Sequence, residues 1–552
     1  MSLSRRGMLA GATAAGAAAA LTAPPLSAAG TPAGTRSSAG PGMQVQVATV
    51  APYLPSVRPY RDTRVLGAAP LHMANRFAYG YTPQLRREMK AAGGALAWFE
   101  GQLRPGRIAD ADADSMASWF PDRDLSAAEH FELAETTTGH FAETTGNHAR
   151  WTLLRRTYSH RQLHEVMSEF WLNHLHVHSL ADLTWLWRTS YDNVIRQHAL
   201  GRFDEMLQAA TIHPAMLTYL DADLSIVQRR TTSGGEIIET DRVNENLGRE
   251  LLELHTVGRS GTTYGEADVL HSAFILTGYR VDRFASWAYS YDPEAHFTGP
   301  VKVLDFTDAN TERDGRAVLR RYLTYLAHHP ATAQRIARKL AVRFVSDTPS
   351  SGLVDELAKV FSESGTDIKA TLRALVNHPE FKASAGRKVR TPSEDLVATL
   401  RAYDVDITRP QHEQDAANAL YYLSKNIGQA PFGWARPDGF PDDGSAWSSA
   451  SRMMGSFHTH YALAAGYFPS TGINYRPKTS WLPQQRIRFD EFVDHLCRTL
   501  QGRPSTSVVL GAACIVTDMR PSDVVTQDHV LINFRLPRLF GILLDTPAHM
   551  TR

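Results

Sequence analysis

From residue 68 onward, apolar residues recur three and four positions apart in one segment after another. This spacing places them on one face of an α-helix, as in amphipathic helices that pack on a core. Alternation typical of strands is confined to 279–290 and 300–306. The sequence therefore predicts a mainly α fold, a large multi-helix domain with long irregular loops and at most a small β-hairpin. The helical segments are 83–103, 128–138, 159–176, 192–210, 213–222, 243–257, 265–277, 313–327, 330–345, 352–363, 367–376, 392–403 and 488–501.

The domain boundaries follow from where this periodicity begins and where it lapses. Gly, Ala, Ser, Thr and Pro dominate the stretch before it, so 30–67 is predicted to be a linker or an extended arm. No later linker is visible, and we expect a single helical domain over 68–552. Within it, 278–312 and 404–485 lack helical periodicity, and ordered loops of such length in a compact domain are usually functional.

Residues 1–29 have the parts of a cleavable export signal. Arg5 and Arg6 precede a weakly apolar Ala- and Gly-rich run, and small residues end at Ser27-Ala28-Ala29. Paired arginines before such a run indicate a twin-arginine signal, with a Sec signal or an uncut anchor as the alternatives. We therefore expect export by the twin-arginine route to the periplasm, the cell surface or the medium. That route carries folded proteins. Two explanations for its use remain open: a metal or cofactor is loaded before export, or the chain folds fast.

The composition narrows the function classes. Lys and Arg number 58 against 57 Asp and Glu, and this balance does not favour a nucleic-acid partner. No segment after the signal has 18 uninterrupted apolar residues, so we expect no membrane span in the mature chain. Two cysteines, Cys497 and Cys514, exclude a disulfide scaffold, and they either pair or stay as buried thiols. The absence of GxSxG, GxxxxGK[ST] and GxGxxG argues against α/β serine hydrolases, nucleotide hydrolases and Rossmann dehydrogenases.

The strongest local signal is the segment 243–257, which we call the signature helix. Leu247, Leu251 and Leu254 are expected to form its buried stripe. A polar face carries acids, amides and one arginine, at Asn244, Glu245, Asn246, Arg249, Glu250 and Glu253. Two interpretations remain open. Carboxylates beside a guanidinium can have their pKa values pulled apart, as an acid/base pair needs, or they can form a buried network that joins helices.

NENLGRELLELHTVG in this helix, followed by YGEADV and LTGY, resembles the signature of a large exported bacterial family, domain of unknown function 1800. Further similar blocks occur in family order: LHMANRFAYGYTP, AWFEGQLRPGRI, EFWLNHLHVH, HPAMLTYLD, HHPATAQRIARKLAVRFVSDTP, KVRTPSEDLVATLRAY and IGQAPFGWARPDGFPDDGSAW. The resemblance covers about 70–460, leaving 461–552 as a C-terminal helical extension. It implies a mostly helical fold without an assigned activity. Where the family usually has His-Asp, this chain has His296-Phe297.

The resemblance adds weight to the signature helix as a site. We predict a catalytic set of Glu245, Arg249, Glu250, Glu253 and His174. Predicted substrate contacts are Asn244, Asn246, His296, Trp434, Asp438 and Trp447. His174 matches the family's Phe-Trp-x-x-His block and suits a general base or a metal ligand, whereas His160 and His164 are a weaker chelating pair. Exposed tryptophans beside acids suit stacking on sugar rings, or else they only hold their loop on the core.

These residues predict an exported hydrolase or lyase that acts on an extracellular polymer such as polysaccharide. The alternatives are a non-catalytic exported binding or assembly protein and a metal-dependent oxidoreductase. The sequence identifies no cofactor and leaves open whether a metal is bound. Two spatial predictions follow: Glu250 and Glu253 lie largely buried at a polar cavity reached by His174, and the segments bearing His296 and Trp434–Trp447 pack over the signature helix.

Overall fold

The computed structural model describes residues 53–181, 183–231 and 237–552. The predicted signal peptide and most of the predicted linker, residues 1–52, lie outside the described residues. The mainly helical fold is confirmed. No helix of the described ranges is long and apolar enough to cross a membrane.

The α-helices of the described residues are Ala68–Phe77, Pro83–Ala91, Ala95–Gln102, Ala111–Ser115, Ala127–Thr136, His140–Tyr158, Gln162–His174, Arg188–His198, Phe203–Thr211, Pro214–Tyr219, Asn246–Glu250, Glu266–Ile275, Arg316–His328, Pro330–Phe344, Ser351–Glu363, Ile368–Asn377, Pro379–Ala383, Pro392–Tyr403, Ala416–Asn426, Ala450–Ala465, Phe489–Gln501, Ser507–Thr517, Leu536–Leu544 and Pro547–Met550. Two π-helical turns, Leu251–His255 and Leu531–Arg535, continue into or from α-helices. Most predicted helical segments contain a helix, and 83–103 and 192–210 each contain two.

Five two-stranded antiparallel sheets lie among the described residues, where the sequence predicted at most one hairpin. The pairs are Ile226–Thr231 with Ile237–Arg242, Tyr279–Val281 with Tyr289–Tyr291, Val301–Val303 with Phe306–Asp308, Asp406–Ile407 with Ile473–Asn474, and Arg486–Arg488 with Val524–Thr526. Most of these strands have only two or three residues, too few for an alternating pattern to be recognised.

Two stretches of the chain differ from the prediction. The predicted irregular segment 404–485 contains the helices Ala416–Asn426 and Ala450–Ala465. The 19-residue helix His140–Tyr158 was not predicted. It has no apolar stripe because much of its buried surface is polar, at Thr144, Thr145, Asn147, His148, Thr152, Arg155, Arg156 and Thr157.

One continuous hydrophobic core runs from Met73 to Leu544. Helix 330–344 packs on 351–363, and helix 450–465 packs on 536–544. The last residues return to the first helix, because the buried Arg76 guanidinium donates to the backbone carbonyl of Arg552. Cys497 and Cys514 are both buried free thiols.

Candidate functional site

The signature helix consists of an α-helical half, Asn246–Glu250, and a π-helical half, Leu251–His255. The wider π-turn changes the phase of the side chains, so Leu252 joins Leu247 and Leu251 in the core and Leu254 is only half-buried. This corrects the predicted stripe. π-turns within helices occur frequently at functional sites.

Arg249 lies on the surface side of this helix. Its guanidinium pairs with Glu245 at 3.2 Å and with Glu266 at 2.6 Å, and its side chain is 37% exposed. Such exposed pairs contribute about 0–1 kcal/mol. Among the described residues, Arg249 therefore does not neutralise Glu250 in a buried network.

Glu250 forms no hydrogen bond or ion pair with any described residue and is half-buried. Burial, together with the charges of Glu253 and Asp438, raises the pKa of its carboxyl group. Tyr219 shares this environment: burial and the charges of Glu250 and Asp438 raise its pKa to about 12. We call Tyr219, Glu250, Glu253 and Asp438 the Glu250 cluster. Glu253 is 29% exposed and lies 3.7 Å from Arg259, so both carboxylates are more accessible than predicted.

The 427–447 loop contributes Asp438 and a tryptophan to this region. Trp434 Nε1 donates to Asp438 Oδ1 at 2.7 Å, and the Arg436 guanidinium lies 5.4 Å from the Trp434 ring centroid. The half-buried Trp434 ring therefore lies between Arg436 and Phe440, whose ring centroid is 5.1 Å away. Trp447 instead is buried and donates to the Pro441 carbonyl, so it holds the loop on the core.

Two hydrogen bonds from the Asn173 side chain anchor this loop on helix 162–174. The side-chain Nδ2 of Asn173 donates to the Phe440 carbonyl, and its Oδ1 accepts from the Phe440 backbone amide, both at 2.6 Å. Gly439 has φ +73°, and a Cβ there would collide with the Asn173 carbonyl, so the approach requires glycine. His176 adds a contact to the Trp434 carbonyl at 2.7 Å.

Helix 330–344 carries a row of three cations on the face that meets these elements. Arg335, Lys339 and Arg343 follow at i, i+4 and i+8. Arg335 donates to the Leu254 carbonyl at the end of the signature helix, and Lys339 Nζ lies 3.0 Å from His174 Nδ1.

Arg343 lies at the centre of a buried group of charges, the Arg343 cluster. Its guanidinium contacts Glu394 at 2.9 Å, Glu169 at 3.0 Å and Asp442 at 3.1 Å, and Arg156 also binds Glu169. Although burial opposes ionisation, Arg343 and Arg552 lower the pKa of Glu394 to about 2. The cavity beside the cluster has a volume of about 40 Å³, which suits water rather than a sugar.

The sequence interpretation missed this cluster although four family-like blocks supply its members. Glu169, Arg343, Glu394 and Asp442 stand in EFWLNH, LAVRF, TPSEDL and FPDDG. The available signal was a charged Arg343 between the apolar Val342 and Phe344.

His174 is buried and lies behind Lys339 instead of facing solvent. Its Nε2–H donates to the His255 carbonyl at 3.0 Å, and its Nδ1 accepts from Lys339. Burial and the nearby Lys339 hold the pKa of His174 well below its usual range, so the ring is neutral. Burial and Arg335 in turn lower the pKa of Lys339 to about 8.

The other predicted histidines lie elsewhere. His296 is fully buried, with Thr277 and Asn310 as its hydrogen-bond partners, and it has no exposed surface with which to contact a substrate. His160 and His164 contact Glu88 and the Arg196 carbonyl respectively, so the structure does not bring them together as ligands.

Asn244, Glu245 and Asn246 mark the start of the signature helix. The Asn244 side chain accepts from the Asn246 amide at 2.9 Å, and Asn246 is exposed. Asn244 and Glu245 border a shallow, open depression with a volume of about 770 Å³. The predicted surface therefore runs from this depression to the Glu250 cluster.

The chain matches the family model described as "Protein of unknown function (DUF1800)" over residues 72–551. It belongs to this family. The match of a DUF1800 model reaches residue 551, so residues 461–551 are part of the family region. No curated protein and no solved structure matches the chain.

Proposed function

We propose that this DUF1800 protein is an enzyme exported by the twin-arginine route, a hydrolase or lyase that acts on an extracellular polymer such as polysaccharide. The observation that carries the proposal is Glu250. It is a half-buried carboxyl group with a raised pKa and no partner among the described residues. Such a group can keep its proton closer to neutral pH and donate it to a substrate.

The surroundings of Glu250 support this role. Tyr219 and Glu253 flank the carboxyl group, and Trp434 offers an aromatic ring on an anchored loop. Lys339 supplies an amine with a pKa of about 8, held by His174, and Asp438 acts electrostatically on both Lys339 and Glu250. In the proposed reaction Glu250 is the acid and Lys339 is the base.

An open surface suits a polymer better than a small metabolite, which is usually enclosed in a pocket. Asn244 lines the shallow depression, and Asn246 and the 37%-exposed side chain of Arg249 follow it along the signature helix. These groups would hydrogen-bond the hydroxyl groups of neighbouring sugar units.

The decisive variant is Glu250→Gln, assayed on a panel of bacterial and plant polysaccharides with and without chelator. Loss of a general acid lowers the rate by about 10²–10⁴-fold. Because Glu250 has no described partner, the melting temperature should stay within a few degrees. Glu363→Gln, at an exposed helix end, is the control and should retain full activity.

Full activity of Glu250→Gln would contradict the proposal. A large fall in melting temperature would assign Glu250 a structural role instead. Binding of a polysaccharide by the wild-type protein without turnover would favour the non-catalytic alternative.

A further inference from the structure

Three buried side chains from separate helices converge outside the surface described above. Asp395 lies in helix 392–403, His460 in 450–465 and His549 in Pro547–Met550. One donor atom from each lies within 4.8 Å of the others, and none of the three residues is more than 4% exposed. The proposed enzymatic function uses none of them.

The distances from the two imidazoles to Asp395 can be compared with those of a hydrogen bond and of a metal site. His460 Nε2 lies 3.2 Å and His549 Nε2 3.5 Å from the same oxygen, Asp395 Oδ1. Charged N–H···O hydrogen bonds are about 2.7–2.9 Å long. Donors around a tetrahedral zinc ion with bonds of about 2.0–2.1 Å are about 3.3 Å apart, because the tetrahedron edge is 1.63 times the bond length. The separations of 3.2 and 3.5 Å match donors that share a metal ion, and the shorter one also lies at the upper limit of an N–H···O hydrogen bond.

Neighbouring residues hydrogen-bond the other atoms of the His460 and Asp395 side chains and so orient their donor atoms toward one another. Asp545 binds His460 Nδ1 at 2.7 Å and leaves Nε2 to point at Asp395. Arg452 lies 3.4 Å from Asp395 Oδ2 and leaves Oδ1 facing both imidazoles. A carboxylate on the distal nitrogen of a ligating histidine is the usual support of a metal site. Thr399 Oγ1, 3.0 Å from His549 Nε2, is a further oxygen beside the group.

The alternative to a metal ion is a proton bound to His460. An imidazolium at His460 would lie between Asp395 and Asp545, and these carboxylates raise its pKa to about 9. Burial holds the pKa of His549 well below its usual range, and the nearby Arg390 and Arg452 act in the same direction. The two occupants predict different chemical states of His460, which makes them separable.

The geometry points to Asp395, His460 and His549 as the ligands of a divalent transition-metal ion, and two imidazoles with a carboxylate suit Zn²⁺. The site is closed to solvent, so the ion would be structural. It would join the 392–403, 450–465 and 547–550 helices, and it would enter as the chain folds. A folded chain carrying such an ion is compatible with twin-arginine export.

The test is metal analysis of the full mature chain purified from the exported fraction in metal-free buffers. We expect about one metal ion per chain. Chelator should lower the melting temperature by several degrees and added Zn²⁺ should restore it. Loading with Co²⁺ should give the visible absorption of a tetrahedral site. His549→Gln should lose the ion and the absorption, whereas His458→Gln, exposed on the same helix as His460, should keep both.

Substoichiometric metal in the wild-type chain, with no effect of chelator or Zn²⁺ on melting, would overturn the inference. So would imidazole nitrogen signals showing His460 doubly protonated at pH 8 in the presence of Zn²⁺. Both measurements use the wild-type protein, so a failure of His549→Gln to fold does not affect the outcome. Neither depends on enzymatic activity, so the metal site and the proposed function can fail independently.

Discussion

Individual charges decide how the 330–344 helix contributes to this protein. Arg335, Lys339 and Arg343 are equally spaced, yet each has a different environment. Arg335 binds the end of the signature helix, Lys339 contacts a neutral histidine, and Arg343 contacts three carboxylates. Three equally spaced cations of one helix therefore have three roles: one anchors the signature helix, one is the proposed base, and one stabilises the buried carboxylates.

Replacing Arg343 by Met should destabilise the protein by about 3–5 kcal/mol, because it leaves buried carboxylates without their shared cation. Chemical denaturation measures the free energy of unfolding. Arg338→Met, at an exposed position of the same helix, should change it by less than about 0.5 kcal/mol. Equal stabilities of the two variants would contradict the role given to the Arg343 cluster.

The pH dependence of turnover should report Lys339. Activity should rise as the pH increases towards about 8, because Lys339, with a pKa of about 8, can accept a proton as a base only after it has lost its own. Lys339→Met should lower kcat by about 10²–10⁴-fold and remove this rise with pH from the remaining activity. The same rise of activity with pH in this variant would assign the rise to another group.

At the scale of elements, the signature helix depends on a close approach to its neighbour. Gly248 faces helix 266–275, where Ser272 Oγ donates to its carbonyl at 3.3 Å. The following π-turn then aims Leu252 at the core and leaves Glu253 29% exposed, whereas Glu250, just before the turn, is half-buried. The local backbone geometry thereby selects which polar residues meet solvent.

Gly248→Ala should destabilise the protein by about 1–3 kcal/mol. An added Cβ would lie 2.9 Å from the Ala273 nitrogen and the Val269 oxygen, which are backbone atoms that cannot turn aside. Gly101→Ala should have the opposite sign. Its Cβ would meet nothing within 4 Å, and alanine favours an exposed helix by about 0.5–1 kcal/mol. Thermal and chemical denaturation compare the two variants.

At the scale of the whole molecule, residues far apart in sequence are in contact. Val389 forms a bridge with Thr551, and the Arg552 guanidinium binds Glu394 at 3.1 Å. Arg343 reaches Glu169 across 174 positions of sequence. Because these contacts cross the divisions near residues 300 and 410, no half is expected to be stable alone.

Limited proteolysis should therefore leave the described region as one resistant fragment until it unfolds globally. We expect no intact half from cleavage near residue 300 or 410. Gel electrophoresis with intact-mass measurement follows the fragments, and heat-treated protein serves as the fully cleaved control. An independently folded half released early would show that 68–552 is not a single domain.

The sequence by itself determined the helical class, most helix positions and the family, because apolar periodicity and motif residues are local properties. It also placed Glu250 on a polar helix face. Only the tertiary structure decided that Glu250 lacks a described partner, that Arg249 turns to Glu266, and that His174 is shielded by Lys339. The His140–Tyr158 helix was missed for the same physical reason. Many of its buried residues are polar, and the partners of Arg155 and Arg156 include Asp192 and Ser393, which lie far away in sequence, so the local pattern does not reveal these contacts.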